Sequence, residues 1–189
     1  MSLMPQQEGE EDLFADVRRK YKNRQVMFFS RDSACLRGLQ SDMQAYSHQA
    51  LVLWAFCCAQ EALKKLGARY PDDPRPGEAL SLSLQWAQGI IKMPQARRAI
   101  LSLHAMAKEM ESKADAALCH ALGHACATVH TQRHAIGLPI YELTALLLER
   151  GITGFEQAAL DRISAYRACL RHMGAEPQGG PWAAFLRDK

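Results

Sequence analysis

Apolar residues recur three and four positions apart along most of this chain and almost nowhere alternate, so the pattern predicts helices and no strands. The most apolar stretch is Ala114–His134, ADAALCHALGHACATVHTQRH, where nothing from Ala116 to Thr131 is charged. It is rich in alanine and free of proline, which favours helix. At the helical turn per residue, Ala114, Ala117, Ala121, Ala125 and Thr128 fall on one face, and Leu118, Leu122, Cys126 and Val129 on the next. A helix apolar around most of its circumference is buried around most of it. A buried central helix is therefore expected over about 114–136, and its small-residue face lets a second helix come close.

The other elements follow from the same spacing. Glu10–Asn23 predicts a short helix, acidic at its start and basic at its end, as the helix dipole favours. Val26–Leu39 shows no clear period. Asp42 reads as the N-cap of a long helix to about Leu66, stopped by Gly67. The prolines of Tyr70–Pro76, YPDDPRP, predict a stiff exposed connection. Gly77–Ile91 predicts a helix with Leu80, Leu84 and Ala87 inward and Trp86 beside them. Another runs from Pro94 to about Met110, with Ile100, Leu103, Ala107 and Met110 on one face. Pro139 opens a helix to Arg150, closed by Gly151, and Phe155–Met173 carries Ala159, Ile163, Tyr166 and Leu170 in line. After a loop over Gly174–Pro181, Trp182–Leu186 is expected to dock back on the chain. Residues 1–9 are expected to be disordered, and Met1–Leu3 reads as a cloning remnant. The fold class is all-α: one domain over 1–189, a bundle of about six to eight helices with a core at 42–148 and a C-terminal helix at 155–173.

Composition narrows the function classes. With 189 residues, 48% of them apolar, the chain suits one ordinary globular domain. A net charge of +3 is too small to imply nucleic acid. The basic cluster Arg18–Arg24 reads as a solvated helix end, with an acidic partner as the alternative. No apolar run reaches the roughly 18 residues a membrane span needs. The six cysteines form no CxxC pair, and the N-terminus has no signal-peptide pattern, so the thiols read as reduced and the protein as cytoplasmic.

Candidate chemistry is confined to one face. His120/His124 and His130/His134 are two i, i+4 pairs, the spacing metal ligands require. On a straight helix His120 and His134 stand ~21 Å apart, so one metal cannot take all four, and no HExxH supplies a base. The first reading is that these histidines cap helices and hydrogen-bond to neighbours, and the alternative is a metal-dependent or histidine-based enzyme. Cys119 and Cys126 read as core residues. Asp72, Asp73 and Arg75 either tie the DDPRP loop to the bundle by ion pairs or form a recognition surface. No phosphate-binding glycine loop, GxSxG or dinucleotide fingerprint is present, so no cofactor is expected.

Two stretches carry a family resemblance. Tyr70–Gly89 has the DDPRP turn, then a helix with Ala79 and a Trp-Ala-x-Gly end at Trp86–Gly89. Ala117–Tyr141 has Gly-His-Ala at Gly123–Ala125, Ala-Thr-x-His at Ala127–His130, then His134-Ala135, Gly137 and Tyr141. With Leu53-Trp54-Ala55 and Cys58-Ala59, this resembles the Imm-5-like immunity proteins over about Ser47–Leu147. The resemblance implies an all-α protein encoded beside a bacterial polymorphic toxin. Its implied role is non-enzymatic: binding a toxin partner and blocking it. On the charge and the apolar spacing no nucleic-acid or membrane partner is expected, and a homo-oligomer stays open. The resemblance brings no catalytic or metal residues, and the family's role itself rests on gene neighbourhood.

Overall fold

In the computed structural model the described residues are 12–175 and 180–187. The expected disorder at 1–9 and part of the expected loop, 176–179, lie outside them. Among the described residues there is no strand, and the chain is an all-α bundle.

The bundle is built around α7 (Lys113–Ala127), which is packed by α3 (His48–Cys58), α4 (Gln60–Arg69), α5 (Arg75–Ala87), α6 (Met93–Glu109) and α8 (Gly137–Arg150). Both predicted faces of α7 are inside: Ala121, Ala125, Leu122 and Cys126 have no exposed surface. The second long layer is α9 (Glu156–Ala175), lying against α3, α8 and the short α2 (Arg37–Met43). Its predicted line Ala159, Ile163, Tyr166 and Leu170 is buried. Near α1 (Ala15–Lys22), the N-cap residue Phe14 lies edge-on to Phe155 at 5.3 Å between ring centroids. A smaller cluster of Val52, Phe56, Trp86 and Val129 is closed by Trp182 and Leu186, the latter in α10 (Ala184–Arg187). The Ala183 N–H donates to the Ala87 carbonyl at 2.8 Å, so the tail docks as expected.

Three expectations need correction. The long helix from Asp42 to Leu66 is in pieces. Asp42 lies inside α2 and pairs with Arg167 at 2.6 Å, while the working N-cap is Ser47, whose hydroxyl accepts from the Ala50 N–H at 3.2 Å. A break follows at Ala59, where Arg162 Nη2 donates to the Cys58 carbonyl at 3.0 Å; helix resumes and runs through Gly67 to Arg69. The central helix ends at Ala127, not near 136. Thr128 Oγ1 donates to the His124 carbonyl at 3.0 Å, His48 Nε2 donates to the Thr128 carbonyl at 2.6 Å, and Thr131 is extended. These contacts satisfy the carbonyls of a helix end and let the chain turn back. A 3-10 turn, Gln132–His134, then leads into α8. Finally, Leu84 is 41% exposed; α5 instead turns Ala79, Ser83, Trp86 and Ala87 inward.

Candidate functional site

The turn at Thr128–Thr131 decides the geometry of the histidines. On a continuous helix His124 and His134 would be ~15 Å apart. Here their Nδ1 atoms are 3.4 Å apart. His120 and His124 are one helical turn apart on α7, as expected, and His134 joins them from the 3-10 turn. His130 does not: it is exposed and stacks on Trp86, with centroids 6.3 Å apart. The four-histidine face is thus corrected to three of its members.

The missing place is taken by His104 of α6. Its Nδ1 lies 2.9 Å from His120 Nδ1, and its ring meets His124 edge-on at 6.2 Å. Its position carried a signal: His104 is four residues after Ile100 and three before Ala107, so it stands on the buried stripe of α6. Tyr141 of α8 completes the cluster, 5.1 Å from both the His120 and His124 rings. Glycines make the approach possible. A Cβ on Gly123 would sit 2.5 Å from His104 Cε1, and one on Gly137 would sit 2.4 Å from His124 Cγ.

Burial is the first cause of the electrostatics. It pushes His104, His120 and His134 below the ordinary imidazole value, and His124 down to about 4, with neighbouring imidazoles and Arg31 adding to the shift on His124. The rings are therefore neutral at pH 7. In each Nδ1–Nδ1 contact one ring donates and its partner accepts, which two protonated rings could not do. Neutral imidazoles hydrogen-bonded in pairs and stacked on a tyrosine tie α6, α7 and α8 together. Among the described residues no three His, Cys, Asp or Glu side chains are placed to hold a metal ion.

The DDPRP stretch is internally paired, and only its first part is loop: against the expected exposed connection, Arg75 and Pro76 open α5 and Pro76 is buried. Arg75 bridges Asp73 and Glu109 at 2.6 Å each, and its guanidinium holds both carboxyls below their usual range. This fastens the loop to the end of α6; Asp72 is exposed beside it. Cys119 and Cys126 are buried, and their thiols are pushed up to about 12. All six cysteines are free. Cys169, on α9, is a contrast the sequence did not reveal: the neighbouring Cys58 and Cys57 thiols hold it below the usual thiol range. No helix among the described residues is long and apolar enough to cross a membrane.

A family model described as Imm-5 like putative immunity protein matches residues 41–169, which spans α3 to α8, the histidine cluster and the paired loop. No curated protein and no solved structure matches the chain.

Proposed function

This chain belongs to the family of Imm-5 like putative immunity proteins, and from that premise we propose that it acts in the bacterial cytoplasm by binding a cognate toxin and blocking it, with no reaction of its own. The family match over residues 41–169 carries the reading. The structure supports it in a specific way. The most chemically suggestive group, the histidine cluster, consists of neutral rings bonded to one another, an arrangement that stiffens three helices. A stiff scaffold loses little entropy when its surface is occupied, which tight inhibitors require.

The test is to express the toxin domain encoded beside this gene, alone and with this chain. Restored growth on co-expression, together with a 1:1 complex of the purified proteins, is the expected result. A toxin that kills equally well in the presence of the folded chain, and does not bind it, would overturn the reading.

A further inference from the structure

A groove of about 600 Å³ opens beside the histidine cluster, between the C-terminal end of α1 with the segment after it and the α7–α8 pair. Its walls are apolar: Met27 and Phe28 on one side, Ala117 and Leu148 on the other, with Tyr141 and His120 on the α7–α8 side. Val26, on its lip, is 88% exposed. The remaining lining includes three cations, Lys22, Arg24 and Lys113, and no carboxylate.

Several described cations are ion-paired, whereas Lys22, Arg24 and Lys113 share with other surface cations, such as Arg97, Arg98 and Lys108, the lack of a carboxylate partner among the described residues. Within the preceding turn of α1, Lys20 pairs with Asp16 at 3.0 Å, and Arg18 pairs with Asp12 and Glu156. Arg69, Arg75, Arg162 and Arg167 are likewise paired. Lys22, Arg24 and Lys113 are exposed. Arg24 is also held at φ +53, in the left-handed region. It closes α1 by a two-bond helix end, its own N–H donating to Tyr21 and the Gln25 N–H donating to Lys20. Glycine is the residue that this kind of helix end favours, so backbone economy does not explain an arginine there. Arg24 is one of the residues that line the groove.

Resting on the immunity reading, we propose that this groove is the toxin-docking surface and that it takes an acidic segment of the toxin: an apolar side chain seated between Phe28 and Leu148, flanked by carboxylates that reach Lys22, Arg24 and Lys113. The apolar walls supply the buried anchor, and the cations supply selection and rate of encounter.

The probe is the toxin domain encoded beside the gene, titrated by calorimetry into the full-length chain at low and moderate salt. Wild-type affinity should fall as salt rises. The triple variant Lys22→Glu, Arg24→Glu, Lys113→Glu should lose about 100-fold in affinity with its helical signal intact. Arg24→Gly relieves the left-handed backbone, so it should melt no lower than wild type and still bind several-fold more weakly. A triple variant that is folded and binds within about threefold of wild type would overturn the groove and leave the immunity reading standing. If that variant binds the toxin unchanged but converts a wild-type dimer to monomer in sedimentation, the groove belongs to a second copy of this chain. A wild-type chain that does not bind at all removes both proposals together.

Discussion

Gly137→Ala should destabilise this protein, although the exchange ordinarily favours a helix. Alanine is better than glycine inside a helix by up to about 1 kcal/mol, and Gly137 is the first residue of α8, where that advantage is smaller. Against it stands a collision. The added Cβ would lie 2.4 Å from both His124 Cγ and Nδ1 and 2.8 Å from His124 Cβ. Swinging the ring about its own bonds cannot relieve a contact with the His124 Cβ, which is fixed to the backbone of α7. The helices α7 and α8 must shift apart instead, in a close-packed interior that transmits strain. Overpacking of this kind costs about 1–3 kcal/mol, leaving a net loss of about 1–2 kcal/mol and a melting temperature lower by ~2–8 °C. Thermal and urea denaturation of the single variants and the double variant Gly137→Ala, His124→Ala would measure it. With the ring removed, the alanine at 137 should become neutral or stabilising, so the two substitutions should couple by about 0.5–3 kcal/mol. Additivity within about 0.5 kcal/mol would refute the argument. Gly123→Ala is the milder companion, because its Cβ would meet the far end of the His104 ring, 2.5 Å away at Cε1.

The histidine cluster makes stability depend on pH. The unfolded rings protonate near 6.5 and the folded His124 only near 4, so the unfolded state binds more protons between those values. Stability is complete above about 6.5 and is lost as pH falls toward 4; a urea midpoint that stays flat from pH 7.5 to 4.5 would contradict the burial of these rings. Arg162→Ala should cost about 3–5 kcal/mol, because the buried Glu142 is paired with it at 2.7 Å and would be left as an uncompensated charge. Adding Glu142→Leu should recover much of that loss in the same denaturation assay, and a loss below about 1 kcal/mol for Arg162→Ala would show the carboxyl to be solvated. Ala121→Leu adds three carbons at a fully buried position of α7 and should lower stability by about 1–3 kcal/mol; an unchanged melting temperature would mean that the face is not filled.

The all-α class, the helices corresponding to α5, α6, α8 and α9 and the burial of α7 were legible in the sequence, because each depends on neighbours three and four residues away. Leu103 and Ala107, or Ala159, Ile163, Tyr166 and Leu170, declare a buried face whatever they meet. The family was legible for a related reason: its motifs are short and local, and the match over residues 41–169 includes them. The places where helices stop were not, because distant partners decide them. Arg162 reaches the Cys58 carbonyl from 104 residues away, and His48 reaches the Thr128 carbonyl from 80 residues away. Thr128, Val129 and Thr131 are β-branched, which lowers helix propensity only slightly, so local spacing still reads as helix through that second stop. From that stop came the site. A straight helix would have kept His130 in line and His134 remote; the turn exposes His130, folds His134 onto His124, and leaves His120 to pair with His104 from another helix. Periodicity states which side of a helix is inside, while only the packed structure decides which side chains meet there, because a hydrogen bond or a glycine-sized gap depends on the approach of two elements and not on the order of residues in either.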